Sequence, residues 1–205
     1  SHIRADALQW GGEFAILGGE WSPFWHDAID LLDFDVLVYQ MFDNPDIVHA
    51  VMDYTASYYL AVSRRIFEAV GDAIDVFFIG NDFGAQTGPL LSPATYREFF
   101  YPRLRRVVEF LKAHGTRYVV VDTDGNPEPL IPMLMDAGID AIWPLERSAD
   151  QDPVRLRERY GRGLRLWGGV DKRVLAHGRQ AIAEHLRAFI PLIEEGGFIP
   201  TVDHT

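Results

Sequence analysis

The stretch of sequence that decides the fold is Tyr118-Val-Val-Val-Asp-Thr-Asp-Gly-Asn126. Its apolar, β-branched part, residues 118–121, is bounded by glycines and is typical of a buried parallel strand. Asp122 and Asp124 follow it. Because residues two apart on a strand point to the same side, the two carboxylates are predicted to project together. In enzymes built on parallel sheets the chemistry lies at this carboxyl edge.

Composition sets the limits within which a function is sought. The chain has 205 residues, 48% of them hydrophobic, which suffices for one packed core. A net charge of −11 argues against a nucleic-acid partner. The absence of cysteine excludes disulfides, thiolate metal ligands and a cysteine nucleophile. No apolar run approaches the ~18 residues of a membrane span, and no secretory signal is recognisable, so we expect no membrane partner and a cytoplasmic location.

Apolar runs alternate with helical patterns along the chain. Six runs are predicted to be strands: residues 14–17, 74–79, 118–121, 141–146, 164–167 and 197–204. Strands that alternate with helices form a parallel sheet. A closed (β/α)8 barrel needs eight strands and typically ~250 residues. We therefore predict an α/β chain of the TIM-barrel type, a single partial (β/α)8 domain over residues 1–205 that lacks the first strands and the closing helix.

Capping residues mark several predicted helices. Ser22 before Pro23 and Ser92 before Pro93 are predicted N-caps, and the second helix should run unbroken to His114. A long helix should span residues 45–70, with its apolar stripe formed by Ile47, Val51, Tyr54, Tyr58, Ala61, Val62 and Phe67. Gly18-Gly19 does not extend to a phosphate-binding glycine motif. We predict instead that these two glycines, which lack a Cβ atom, let neighbouring backbone approach closely.

Five successive predicted strands end in, or lead directly into, acidic residues or a histidine. These residues are Asp82, Asp122 with Asp124, Glu146, Asp171, and Asp203 with His204. In a barrel these strand ends converge on one mouth. Carboxylates that share a pocket raise one another's pKa, which equips them for proton transfer or for holding a cation. His204 is the natural proton shuttle or metal ligand of this set.

The same residues also have plain structural explanations. Asp171 could only cap the following helix, and Asp122 with Asp124 could only hold the turn at Gly125-Asn126. Asp82 and Glu146 could likewise be structural, and His204 could be a frayed terminal residue. The remaining histidines are predicted to be surface residues on or near helices: His2, His26, His49, His114, His177 and His185.

Several segments come in the order typical of one family. They are Asn81-Asp-Phe-Gly-Ala-Gln-Thr-Gly-Pro-Leu-Leu-Ser-Pro93, Tyr96-Arg-Glu-Phe-Phe-Tyr-Pro-Arg103, Asp122-Thr-Asp-Gly-Asn126, Ala137-Gly-Ile-Asp140, Trp167-Gly-Gly-Val-Asp-Lys172, and Gly196-Gly-Phe-Ile-Pro200 with Asp203-His204. Together they resemble the uroporphyrinogen decarboxylase superfamily, over nearly the whole chain. The resemblance implies a (β/α)8 barrel.

This superfamily has two well-known branches. One decarboxylates uroporphyrinogen without a cofactor, usually as a dimer, and the other moves methyl groups between corrinoid proteins and thiols with zinc. The resemblance implies roles for Asp171, the aspartate after the glycine-rich strand, and for His204, the late histidine. With Asp124, these are the expected catalytic residues. Substrate contacts are expected from Asp82, Gln86, Asp122 and Glu146.

The sequence departs from both branches. The methyltransferases carry His-x-Cys-Gly where this chain has Asp122-Thr-Asp-Gly125, so a thiolate zinc site is excluded. A site of Asp122, Asp124, Glu146 and His204 would suit a harder divalent ion or a weakly held zinc. The arginine-rich segment with which the decarboxylases grip substrate carboxylates is not found in this sequence.

Three functions follow from these observations. The first is cofactor-independent decarboxylation of a porphyrinogen-type or other small acidic substrate, by a protein that the resemblance suggests is a homodimer. The second is a metal-dependent, corrinoid-linked methyltransferase or demethylase, with a corrinoid protein as its partner. The third is a barrel that binds a small molecule without turnover.

Overall fold

A computed structural model describes residues 2–21 and 24–204. The N-cap predicted at Ser22 lies outside these residues. The strands are β1 (Leu17–Trp21), β2 (Val76–Gly80), β3 (Gly84–Ala85), β4 (Gly88–Pro89), β5 (Tyr118–Asp122), β6 (Ala141–Trp143), β7 (Arg165–Val170) and β8 (Phe198–Val202). The α-helices are α1 (His2–Trp10), α2 (Trp25–Leu32), α3 (Phe34–Asp43), α4 (Pro45–Val70), α5 (Pro93–Phe99), α6 (Tyr101–Ala113), α7 (Ile131–Asp136), α8 (Pro153–Tyr160), α9 (Gly178–Arg187) and α10 (Ile190–Glu195).

The main sheet has six strands in the order β1-β2-β5-β6-β7-β8, and every adjacent pair is parallel. Each strand therefore lies beside its predecessor and successor along the chain, as consecutive strands of a (β/α)8 barrel do. The predicted fold class is confirmed: the described residues form an α/β structure of the TIM-barrel type, with six strands in the main sheet. Strands β3 and β4 form a separate antiparallel hairpin in the connection after β2.

The two faces of the sheet differ in what covers them. Val119 and Val121 of β5 are almost fully buried and belong to the core that the helices cover. Their neighbours Val120 and Asp122 point to the opposite, inner face, as the period of two requires. Strand β5 therefore places the side chain of Asp122 on the inner face, at the carboxyl edge of the sheet.

Strand β1 lies further along the chain than predicted. It begins at Leu17, and Phe14 of the predicted strand is 55% exposed. Gly18 and Gly19 belong to the strand, where they permit close approach to β2. A Cβ atom at Gly19 would lie 2.5 Å from the carbonyl oxygen of Phe78. The glycine pair thus has the packing role predicted for it, but inside the strand and not after it.

The predicted buried stripe of α4 is partly wrong. Ile47, Tyr54 and Tyr58 are 48–69% exposed. The buried side is shifted by one residue and consists of Val48, Met52, Thr55, Ala56, Tyr59, Ser63, Phe67 and Val70. The bounds of α4 match the prediction, since Pro45 occupies its first turn and Gly71 ends it with φ 70°.

The ends of other helices and strands also differ from the predicted ones. The helix predicted from Pro93 to His114 is divided into α5 and α6 at Phe100, because Pro102 cannot donate the backbone hydrogen bond that a continuous helix needs. Strand β6 ends at Trp143, before Pro144, for the same reason. Helices α1 and α3 and the β3–β4 hairpin were not predicted. Within the described residues, none of the helices has the length and apolar character required to cross a membrane.

Candidate active site

Three aspartates meet at the carboxyl edge of the sheet. Asp122 is the last residue of β5, Asp124 follows it, and Asp82 lies in the loop after the neighbouring strand β2. One carboxylate oxygen from each lies within 4.8 Å of the others. The strand register explains the meeting, because Asp122 pairs with Gly80, two residues before Asp82. We call these three residues the aspartate cluster.

Backbone contacts fix the two loops that carry the cluster. The amide of Asp124 donates to Asp82 Oδ1 at 3.1 Å, and the amide of Asn81 donates to the carbonyl oxygen of Asp122 at 2.7 Å. Gly125 adopts φ 69°, and a Cβ atom there would lie 2.6 Å from the carbonyl carbon of Gly84. The loops can pack this closely only because glycine occupies the turn.

Asp122 has the most perturbed environment of the three. Its side chain is 1% exposed, and its Oδ2 atom has no hydrogen-bond partner among the described residues. Burial raises the pKa of Asp122 to about 8, and the charges of Asp82 and Asp124 add to this, while His204 opposes it. At neutral pH Asp122 therefore holds a proton between two other carboxyl groups.

Asp124 and His204 form a pair at the rim of the cluster. His204 Nε2 lies 3.1 Å from Asp124 Oδ2, and both side chains are more than a third exposed. Burial and then the charge of Asp82 raise the pKa of Asp124, and His204 partly offsets this. The predicted meeting of Asp124 with His204 is thus present in the structure, although their catalytic roles stay predictions.

His26 was predicted to be a surface residue on or near a helix, and the structure adds a contact with Asp82 that the prediction did not include. It lies in α2, and its Nε2 atom is 3.4 Å from Asp82 Oδ2. Its side chain is 31% exposed, and it contacts the cluster at Asp82. The sequence offered one signal: His26 follows the carboxyl end of β1 by a few residues, and such positions reach the mouth of a barrel.

Glu146 and Asp203 hold neighbouring backbone. Glu146 Oε2 accepts a hydrogen bond from the amide of Gly125 at 2.8 Å, and Lys172 Nζ lies 3.6 Å from its other oxygen. Asp203 is 1% exposed and accepts from the amides of Arg147 and Lys172. Both acids therefore tie together the loops that follow strands β5, β6 and β7.

Asp171 has different partners from the cluster. Its carboxylate caps the 3-10 turn Lys172–His177 by accepting from the amide of Arg173, and it also accepts from the Arg173 guanidinium. The Arg173 hydrogen bonds hold the pKa of Asp171 at about 2. The capping alternative considered for Asp171 is therefore present. Its predicted catalytic role stays a prediction, as does the substrate contact of Gln86, which is exposed in the turn of the β3–β4 hairpin.

The arrangement limits what chemistry the site can perform. Three carboxyl groups this close cannot all be ionised without a compensating charge, so they either share protons or bind a cation. The oxygen-only donor set of the cluster fits a hard divalent ion such as Mg²⁺ or Mn²⁺ better than a thiol-activating zinc. Of the ligands predicted for a metal, Asp122 and Asp124 lie in the cluster, His204 contacts Asp124, and Glu146 binds backbone and lysine.

Comparison with known proteins identifies the relatives of this chain. The family model described as "Uroporphyrinogen decarboxylase (URO-D)" matches residues 3–204. A uroporphyrinogen decarboxylase of Hydrogenovibrio crunogenus is 27% identical over 159 residues, which are 76% of this chain and 42% of that protein. One of Streptomyces coelicolor is 29% identical over 177 residues, which are 80% of this chain and 45% of that protein. The chain thus spans less than half the length of these relatives.

A solved structure shares the fold. A methyltransferase from Methanosarcina mazei superposes with a TM-score of 0.71 and 21% identity, over 98% of this chain and 56% of that one. At this identity the likeness concerns the fold alone. The sequence resemblance to the uroporphyrinogen decarboxylase superfamily is confirmed by the family model and by the curated relatives.

Proposed function

Because the chain belongs to the uroporphyrinogen decarboxylase family, we propose that it is a decarboxylase-like enzyme that removes CO₂ from a small carboxylated substrate without a cofactor. The observation that carries the proposal is the burial of Asp122 between Asp82 and Asp124. A carboxyl group kept protonated at neutral pH is suited to general acid catalysis, since it gives up its proton only to a strong base. The carbanion left by decarboxylation is such a base.

The proposed reaction assigns the proton to Asp122. The bond between the substrate carbon and its carboxylate breaks, CO₂ leaves, and the electron pair remains on carbon. The proton of Asp122 then forms the new C–H bond, and Asp122 becomes a carboxylate. Ionised Asp122 is unstable beside Asp82 and Asp124, and this drives it to take a new proton.

The pair of Asp124 and His204 supplies that proton in this proposal. His204 is exposed enough to exchange with water and lies 3.1 Å from Asp124. Asp124 in turn lies within 4.8 Å of Asp122. Asp82, with His26 beside it, keeps the cluster negative and so favours the protonated form of Asp122. Glu146, Asp171 and Asp203 hold the loops in place.

A direct assay tests the proposal. The purified protein is incubated with chemically reduced uroporphyrin, and CO₂ release and the number of carboxyl groups in the product are measured. Asp122→Asn keeps the shape of the side chain but cannot donate a carboxylic proton, and we expect turnover to fall by ~10² or more. Asp53→Asn, the same change on α4 where Asp53 pairs with Arg103, is the control and should retain activity. Equal turnover in wild type and Asp122→Asn would exclude the proposed proton donor.

The second candidate is a metal-dependent, corrinoid-linked methyltransferase. It is favoured by one observation, the unpartnered Asp122 Oδ2 atom inside a cluster of three carboxylates. Asp82, Asp122 and Asp124 would hold the ion, which when bound would supply positive charge to draw a proton from the methyl acceptor. The lack of thiolate ligands distinguishes this set from a zinc site that activates thiols.

Metal content separates the two candidates. If the protein is a metal-dependent methyltransferase, mass spectrometry of protein dialysed without chelator would find about one divalent ion per chain, and the Asp82→Asn variant would lose it. A separate assay would then show methyl transfer that depends on a corrinoid protein. The decarboxylase proposal instead expects CO₂ release that persists after chelator treatment. A protein that binds the porphyrinogen but releases no CO₂ would be a binding barrel without turnover.

A further inference from the structure

A groove between helices α2 and α4 lies outside the candidate active site. Asp27, Asp30 and Leu31 line it from α2, and Tyr54, Thr55 and Tyr58 line it from α4. Residues three and four apart share one side of a helix, so the two rows of side chains border the same space. Its volume is about 260 Å³, below the ~300–1,000 Å³ of pockets that take a drug-sized ligand. This acidic groove therefore suits a single long side chain better than a whole small molecule.

The walls of the acidic groove offer aromatic rings and carboxylates. Tyr54 and Tyr58 are 69% and 62% exposed, and Asp30 is exposed as well. Burial and then the charge of Asp30 raise the pKa of Asp27, and His26 partly offsets this. Within residues 2–21 and 24–204, neither Asp27 nor Asp30 takes part in an ion pair. A cation in the groove would relieve the repulsion between the two carboxylates.

The chain around the acidic groove combines negative charge with exposed apolar side chains. Residues 5–63 contain ten acidic residues and no lysine or arginine. Helix α3 packs against both α2 and α4, and its side chains Phe34, Val36, Tyr39 and Phe42 are 42–74% exposed. Exposed apolar side chains that occur together mark surfaces that bind other proteins, and aromatic residues are enriched in such interfaces. The surroundings of the groove thus favour a protein as the partner.

The charge of this region decides which protein fits. In a symmetric dimer the same surface of both copies would meet, so Asp27 and Asp30 would face identical carboxylates. Like charges that oppose each other across an interface disfavour association. A different protein with a positively charged surface is the better partner. Arginine suits the groove best, because its planar guanidinium stacks on aromatic rings and donates two parallel hydrogen bonds to a carboxylate.

We propose that the acidic groove binds an arginine side chain on a basic, partly apolar surface of another protein. In the complex the guanidinium lies over the ring of Tyr54 or Tyr58 and donates to the carboxylates of Asp27 and Asp30. The exposed apolar side chains of α3 contact the apolar part of the partner. This interaction is independent of the proposed decarboxylase function.

Peptides of defined sequence test the proposal. The probe is a fluorescein-labelled amphipathic helix with leucines on one side and two arginines beside them, and in matched peptides lysine or glutamine replaces both arginines. Fluorescence anisotropy with the full chain should show the arginine peptide binding at least ~10-fold more tightly than the glutamine peptide, with the lysine peptide in between. Equal affinities of the three peptides, or no binding of the arginine peptide, would overturn the proposal.

Charge variants locate the binding in the acidic groove. The double variant Asp27→Asn/Asp30→Asn should weaken binding of the arginine peptide by ~10-fold. Asp43→Asn/Asp46→Asn is the matched control, since it removes the same charge at the same spacing from exposed residues that do not line the groove. It should change the affinity by less than ~2-fold. Equal weakening in both double variants would mean general attraction to an acidic surface and would overturn the proposal.

Tyrosine variants separate the rings from the charges. Tyr54→Leu should weaken binding of the arginine peptide by ~3-fold or more, whereas Tyr54→Phe keeps a ring face and most of the affinity. Unchanged affinity in Tyr54→Leu and in Tyr58→Leu would refute the stacking. Analytical ultracentrifugation tests the other occupant. A wild-type dimer that Tyr54→Leu dissociates would show that a second copy fills the groove and would overturn the proposal, whereas a wild-type monomer agrees with it.

Discussion

Replacing Asp122 by Asn should change how the stability of the protein depends on pH. Asp122 has a pKa of about 8 in the folded protein and about 3.8 in an unfolded chain. Between these values the unfolded state has lost the proton and the folded state keeps it. Because the unfolded state then binds fewer protons, the free energy of unfolding falls as the pH rises from about 4 to about 8. Above pH 8 the loss is complete.

The size of this effect follows from the pKa change. One pKa unit corresponds to about 1.4 kcal/mol, so a shift from 3.8 to about 8 bounds the total loss at ~6 kcal/mol. Water entry and loop relaxation around an ionised Asp122 reduce it. Between pH 5 and pH 8.5 we expect wild type to lose ~2–3 kcal/mol more than Asp122→Asn, which cannot ionise at this position.

Urea unfolding followed by circular dichroism measures this difference directly. Both proteins are unfolded at pH 5, 7 and 8.5, and the free energies are extrapolated to water. Asp171→Asn is the control with the opposite sign. The low pKa of Asp171 stabilises the fold above pH 4, so this variant should be less stable than wild type at neutral pH and keep the decline to pH 8.5. An equal decline in wild type and Asp122→Asn would refute the reasoning.

Three further predictions follow from the structure. Asp124→Ala or His204→Ala should cut turnover by ~10² while the melting temperature changes little, because both side chains are partly exposed. Steady-state kinetics and thermal melting of both variants measure this, and turnover near that of wild type would contradict it. Gly125→Ala should lower both stability and activity, since its φ is 69° and a Cβ atom would clash with Gly84; a variant as stable as wild type would show that the loops are free to separate. Ser92→Ala should cost ~1 kcal/mol, because Ser92 Oγ accepts from the amide of Thr95 at the start of α5; urea unfolding measures it, and no loss would mean that the cap is replaced by water.

Local patterns predicted much of the fold. The alternation of apolar runs with helices gave the six parallel strands, and the spacing of Asp122 and Asp124 gave a shared location at the carboxyl edge. Both predictions rest on residues that are close together in the sequence. The buried side of α4 was predicted one residue off, because tyrosines such as Tyr54 and Tyr58 fit an apolar stripe by composition and yet keep their hydroxyl ends in water.

Contacts between distant segments explain what the sequence did not reveal. His26 reaches Asp82 only because β1 and β2 lie side by side, and its helical surroundings indicated a surface position. The contact of Glu146 with the Gly125 amide depends in the same way on the packing of two loops. Capping by Asp171 after β7 was among the alternatives that the sequence offered, whereas its ion pair with the Arg173 guanidinium was not predicted.

The most direct test of the account is a titration of Asp122 itself. Protein labelled with ¹³C at aspartate Cγ is titrated by NMR from pH 4 to pH 10 in the presence of a chelator, and the Asp122 signal is assigned from its loss in Asp122→Asn. We predict a midpoint near pH 8, with the signal of a protonated carboxyl group at pH 7. A midpoint below pH 5 would mean that Asp122 is ionised at neutral pH, and the proposed proton donor would be contradicted.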